Sequence, residues 1–197
     1  MTVSTYSSST PRFPVAAAVV AVIWILLAVA AGASGLLLRL PFPAPQLIIL
    51  GLVVLTIAAG LVRGPVRDWI DSLPLRTLIG VNGIRFIGIT FLVLAARGQL
   101  NPVFAARAGW GDIAVALIAI ILVLAPASRT VIHAWNALGF LDLVIAVGTA
   151  TIVTIQGTTP GVAPVLSFPL SIVPTFFVPL FLANHVFIFR RLLTHGR

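Results

Sequence analysis

The chain has 197 residues, 60% of them hydrophobic and 8% charged, with a mean hydropathy of +1.18; a soluble domain is nearer half apolar and a quarter charged. So short a chain cannot hide that much apolar surface in one aqueous core, which excludes an ordinary soluble domain and makes lipid the natural solvent. The formal charge of +8 comes from 12 basic residues, all Arg, against 4 acidic ones, all Asp. The arginines stand singly between apolar runs, so they read as topology determinants and not as the clustered basic face of a nucleic-acid binder.

There is no cysteine, which removes disulfides, thiolate metal sites, iron–sulfur clusters and cysteine nucleophiles from consideration. An Arg-only chain rich in Ala, Gly and Val suits a GC-rich bacterial genome, and the expected location is the bacterial inner membrane.

In chain order, residues 1–13 (MTVSTYSSSTPRF) form a Ser/Thr-rich tail expected to be flexible. The first apolar run, 14–38, contains the small-residue stretch Ala31-Gly32-Ala33. It is longer than a signal-peptide core and preceded by Arg12 alone, so it reads as an uncleaved span. Span 2 covers 46–62, after the turn Pro41-Phe42-Pro43-Ala44-Pro45. The segment Arg63 to Asp71 alternates charge and bulk and suits a short interfacial helix with Trp69 at headgroup depth.

Span 3 covers 75–96 and span 4 covers 112–124, the latter short against the roughly 20 residues a bilayer requires. Spans 5 and 6 cover 131–155 and 165–189. A tail at 194–197 follows a single transmembrane domain over 14–193. The predicted fold is therefore an all-α polytopic helical bundle of about six spans. With the N-terminus inside, eight arginines face the cytoplasm (12, 63, 67, 76, 129, 190, 191, 197) and three face out (39, 97, 107). That bias follows the positive-inside rule and puts both termini in the cytoplasm. A five-span chain with a re-entrant fourth segment is the competing topology.

Ionisable and amide side chains inside spans are costly in lipid, so they turn to the bundle interior and need partners. They are Asn82 and Arg85 in span 3, Asp112 opening span 4, His133, Asn136 and Asp142 in span 5, and Asn184 and His185 in span 6. At about 1.5 Å per residue, Arg85 lies about 12–15 Å deep and Asp142 about 16 Å deep, which makes them the natural ion pair. Asn82, Arg85, Asn136 and Asp142 are the candidate polar cluster, whether as a structural pair or a ligand site.

His133 and Asp142 are nine residues apart and point to opposite sides of one helix, so one pocket uniting every polar residue is not expected. Asp112, after Gly109-Trp110-Gly111, reads as a helix N-cap. His133 and His185 at matched depth near the cytoplasmic boundary are the only candidate ligands for a b-type haem; no cofactor or metal is otherwise expected.

Span 6 carries Pro169, Pro174 and Pro179, so a kink is expected, with Ser171, Pro174, Thr175 and Pro179 as candidate cavity lining. Small-residue pairs at spacing four (Ala28/Gly32, Ala31/Gly35, Thr56/Gly60, Ala146/Ala150) suit close helix crossing, within the fold or in a homo-oligomer or larger membrane complex.

The segments Arg85-Phe86-Ile87-Gly88-Ile89-Thr90-Phe91-Leu92, Asn101-Pro102-Val103-Phe104-Ala105, Ala108-Gly109-Trp110-Gly111-Asp112, Trp135 to Leu143 and Ile172 to Pro179 resemble a group of uncharacterised bacterial multi-pass membrane proteins. The resemblance covers roughly 73–190. It implies membrane location and no activity.

No Ser/His/Asp ordering or HExxH occurs and Glu is absent, so no catalytic residue is assigned and a membrane hydrolase is disfavoured. Three functional readings remain. The first is a non-enzymatic scaffold or accessory subunit in the lipid bilayer. The second is a small transporter or ligand-binding protein with a site near Arg85, Asp142 and span 6. The third is a single-haem protein.

Overall fold

The computed structural model describes residues 14–194. The expected tail at 1–13, and residues 195–197 of the expected C-terminal tail, lie outside the described residues. Within them every regular element is a helix, with no strand. The elements are α1 (Val15–Ala33), α2 (Leu36–Arg39), α3 (Ala44–Leu61), α4 (Pro65–Ser72) and α5 (Leu75–Gly80). A 3₁₀ segment (Val81–Ile87) joins α5 to α6 (Gly88–Ala96), and α7 (Pro102–Leu124) and α8 (Arg129–Gln156) follow. Short 3₁₀ (Ala163–Leu166) and π (Val173–Phe177) segments lead into α9 (Val178–Thr194).

Six helical stretches are long and apolar enough to cross a membrane: Val15–Ala33, Ala44–Leu61, Leu75–Ala96, Pro102–Leu124, Arg129–Gln156 and Val173–Thr194. Their outward faces carry large bare apolar side chains, among them Leu26, Leu27, Leu55, Ile121 and Leu138, a surface tolerable in lipid and not in water.

The fourth span departs from the sequence expectation. It begins at Pro102, not at 112, and at 23 residues is long enough to cross fully. Asn101 is its N-cap: the side-chain oxygen accepts from the Val103 and Phe104 amides at 3.1 Å each, and Pro102 occupies the first helical position, where its missing N–H costs nothing. The Asn101 amide also donates to Thr158 Oγ1 and to the Pro160 carbonyl, both at 3.2 Å, tying this end of α7 to the 157–162 loop. Asp112 is therefore not a cap. It lies ten residues inside a continuous helix, and Gly109, Trp110 and Gly111 make no turn there.

The sixth span also differs. Residues 163–171 are a 3₁₀ segment followed by a bend and turns, the spanning stretch begins at Val173, and it continues to Thr194, past the expected end at 189. The prolines gather toward the entry of this span. Pro169 lies in the irregular lead-in, Pro174 in the π segment and Pro179 in the first turn of α9. Pro179 has no N–H to offer the Thr175 carbonyl four residues earlier. Trp24 of α1 supplies the donor instead, its indole Nε1 lying 2.9 Å from that oxygen.

α7 is the hub, packing on α5, the 3₁₀ segment, α6 and α8, while α9 packs on α3 and α8. α1 stands at the edge, held by Trp24 and by Gly32, where any side chain would collide with Ser171. Gly60 of α3 makes the same kind of room for Phe187. Two of the small-residue positions thus serve packing inside the fold, whereas Gly35 (φ +69) is the turn between α1 and α2, and a side chain there would meet nothing within 4 Å.

The cytoplasm-predicted end is laced by arginines. Arg190 pairs with Asp71, Arg191 donates to the Leu73 and Asp71 carbonyls, and Arg129 donates to the Leu192 carbonyl. α4 forms in the predicted interfacial segment and buries Ile70 against Ala183 and Phe187.

Candidate functional site

The site is built on the irregular middle of the third span. A 3₁₀ helix has three residues per turn, so side chains three apart lie on one line. Ile79, Asn82, Arg85, Gly88 and Phe91 follow that spacing, and all five are buried. Where the α-helix gives way to 3₁₀, the Leu78 and Ile79 carbonyls take side-chain donors. Asn82 Nδ2 lies 3.2 Å from each, and Asn184 Nδ2 of α9 lies 2.8 Å from the Leu78 oxygen.

Arg85 has no solvent exposure. Its Nε donates to Asp112 Oδ1 at 2.7 Å and its Nη2 to Asp142 Oδ2. Nη1 donates to the Gly139 carbonyl at 3.1 Å and lies 3.3 Å from His185 Nε2. The Phe181 ring, its centroid 5.9 Å from the guanidinium carbon, covers one side at the outer limit of a cation–π contact.

His185 is completed by Asn136. The Asn136 amide nitrogen donates to the His185 backbone carbonyl at 3.0 Å, which leaves its Oδ1 to accept from His185 Nδ1 at 2.8 Å. Nε2 then turns its lone pair to the guanidinium, the arrangement of a neutral imidazole. Trp135 packs across the ring, centroids 5.7 Å apart, and its indole donates to the Val115 carbonyl at 3.1 Å.

Glycines make this convergence possible. A side chain on Gly111 would overlap the Asp142 carboxylate, and one on Gly139 would come within 2.6 Å of His185 Cε1. A methyl on Gly88 would sit 2.6 Å from Asp112 Cβ and 2.9 Å from the Gly109 carbonyl. Four helices therefore bring polar groups to the middle of their spans: Arg85 is ten residues from Leu75, Asp112 ten from Pro102, Asp142 thirteen from Arg129 and His185 nine from Thr194.

A cavity of about 80 Å³ adjoins this cluster at Asp112. Its walls are mainly apolar, with Phe91, Phe104, Leu143 and Val173 prominent. Asp112 is 8% exposed and its Oδ2, unlike Oδ1, has no hydrogen-bond partner among the described residues. Neither Arg85 nor Asp142 lines the cavity. A second, open cleft of about 300 Å³ lies between the α2–α3 turn, the end of α8 and the 157–166 segment. The two share Pro45, Gln46, Thr154, Val162 and Leu166, so the cleft adjoins the cavity.

Of the candidate residues, Arg85, Asn136 and Asp142 meet in this cluster, and Asn82 lies one 3₁₀ turn away. Asp112 and His185, placed elsewhere by sequence reasoning, join them. The cluster does not take in every polar residue of the spans: His185 faces it and His133 does not. His133 sits in the second turn of α8 with Nδ1 3.0 Å from the Arg129 carbonyl. Nor is His185 near the boundary, since α9 runs on to Thr194. Both its ring nitrogens are engaged, so ligating an iron would require giving up one of those bonds.

Among the expected lining residues only Pro174 borders the cavity. Ser171 is fully buried against Gly32, Thr175 Oγ1 donates back to the Ser171 carbonyl at 2.6 Å, and Pro179 is enclosed in the packing.

A family model described as a domain of unknown function (DUF8737) matches residues 42–193. The chain belongs to this family. No curated protein and no solved structure matches it. The DUF8737 region takes in α3 as well as the four later spans, more than the 73–190 stretch that carried the resemblance. Arg85, Asp112, Asn136, Asp142, His185 and every residue lining the cavity lie inside it, and α1 lies outside.

Proposed function

We propose that this chain is a bacterial inner-membrane protein with both termini in the cytoplasm that binds a small molecule in the cavity at Asp112 and exchanges it with the outer side. The observation that carries the reading is the position of Asp112. One carboxylate oxygen is fixed by the buried guanidinium, and the residue also borders a cavity that adjoins an open cleft. A few convergent polar groups in a mostly apolar pocket are the usual composition of a small-molecule site. The outer assignment of the cleft rests on the arginine bias. It strengthens with α7 extended to Pro102, because Arg107 now lies within the span, 3.3 Å from Thr149 Oγ1, and leaves the outer side.

The natural chain has no cysteine, so single cysteines can be read without background. Ala108→Cys, in the cavity wall, should react with a small thiol reagent added to the outer face of spheroplasts. Ala116→Cys, fully buried and away from the cavity, should not. An inert cysteine at 108 in folded protein would refute the reading.

The second reading is a non-enzymatic helical scaffold or accessory subunit, favoured by the zero exposure of Arg85 and its wholly internal partners. It requires Ala108→Cys to be as inert as Ala116→Cys.

A further inference from the structure

The ligand-binding reading leaves the chemical class of the ligand open, and the polar groups facing the cavity narrow it. Asp112 offers a carboxylate oxygen with no partner. Gln46 Oε1 is buried without a donor where the cavity meets the cleft. Thr151 and Thr154 also line the cavity, but their hydroxyl protons are committed to the Val147 and Ala150 carbonyls at 2.9 and 2.8 Å. These two therefore present only lone pairs. Apart from the Gln46 amide nitrogen, everything polar that the cavity offers accepts hydrogen bonds.

Charge points the same way. The cluster sets one guanidinium against two carboxylates, with His185 neutral in its hydrogen-bonding pattern. With both carboxylates ionised, one negative charge is left over in the middle of the membrane, where an uncompensated ion is strongly disfavoured. An anionic ligand would worsen that sum. It would also find no cation, because Arg85 does not reach the cavity wall. A cationic donor would cancel the excess charge and meet the free acceptor at once. The remaining wall, formed by Phe91, Phe104, Leu143 and Val173, asks for hydrocarbon.

We infer that the cavity takes a lipophilic amine, entering through the cleft past Gln46, its ammonium on Asp112 and its hydrocarbon against the aromatic and aliphatic wall. This rests on the ligand-binding reading, and the experiment separates the two. Full-length Ala108→Cys protein is labelled with a small thiol reagent in the presence of hexylamine, hexanol or hexanoate. Hexylamine at ten times its dissociation constant should slow labelling about tenfold by occupancy, with hexanol and hexanoate giving little protection. Asp112→Asn should remove the protection. If that variant does not fold, Ala150→Leu, which fills the hydrocarbon part of the cavity without touching Asp112, should remove it instead.

Equal protection by hexanol, better protection by hexanoate, or ready labelling with no protection by any of the three would each overturn the amine while leaving an accessible cavity. Protection by hexylamine that survives both Asp112→Asn and Ala150→Leu would overturn it as well. An unreactive cysteine at 108 would instead remove the ligand-binding reading itself.

Discussion

The indole of Trp24 donates to the Thr175 carbonyl, an acceptor that Pro179 cannot serve. A residue of α1, outside the family region, thereby completes the backbone of the last span inside it. Trp24→Phe keeps an aromatic ring against Phe176 and removes only the donor. It should cost about 1 kcal/mol or somewhat more, because a buried carbonyl loses its partner. Pro179→Ala restores a backbone N–H, so Trp24→Phe should cost clearly less in that background. Chemical unfolding of the four chains in detergent gives the coupling; strictly additive effects would show that the two groups do not share the carbonyl.

Gly111→Ala and Gly148→Ala test whether the glycines around the cluster are there for space. A methyl at 111 overlaps the Asp142 carboxylate, and one at 148 meets nothing within 4 Å. The first should destabilise by about 1–3 kcal/mol through overpacking. The second should be neutral or stabilising by up to about 1 kcal/mol from helix propensity. Thermal unfolding followed by circular dichroism reads both, and equal shifts would contradict the packing described.

Removing the cation should be far worse than removing the whole ion cluster. Arg85→Met strands two carboxylates in the protein interior, at a cost of about 3–5 kcal/mol. The triple variant Arg85→Met, Asp112→Asn, Asp142→Asn carries no charge there and should regain most of that loss. The readout is detergent-solubilised yield together with unfolding midpoint. A triple variant weaker than Arg85→Met would mean that the charges contribute more than mutual compensation.

Asn101→Ala removes the cap of α7 and its bonds to the 157–162 loop. It should cost about 0.5–2 kcal/mol and speed hydrogen exchange at the Val103 and Phe104 amides. Exchange there unchanged from the native chain would remove Asn101 from the capping role.

Much of the bundle could be read from hydropathy because lipid imposes long apolar helices and few alternatives. The beginning of α7 was one exception, and the bounds of the sixth span were another. Gly109, Gly111 and Asp112 have the composition of a helix start, and Arg107 interrupts the apolar run. The stronger signal was Asn101-Pro102, an N-cap followed by proline at the first position. Most of the buried polar residues could also be picked out, though His133 is not buried and Asn101 and Thr149 were not among those named. Their meeting was less legible, since it depends on side-chain direction at the middle of four helices. Asp112 was placed at a helix end and His185 at the membrane boundary, each displaced by a misjudged helix terminus. The 3₁₀ segment had a trace in the sequence, Asn82, Arg85 and Gly88 at intervals of three, but that spacing fits one side of an α-helix nearly as well.

The third span is wound at two pitches, and Arg85 sits where they meet the charges. Over the seven residues Val81–Ile87, returning from 3₁₀ to α winding would shorten the rod by about 3.5 Å and turn one half against the other by about 140°. Such a turn would swing the guanidinium off both carboxylates. The winding of Val81–Ile87 and the seating of Arg85 between Asp112 and Asp142 are therefore one arrangement, in which neither part can change while the other stays as it is.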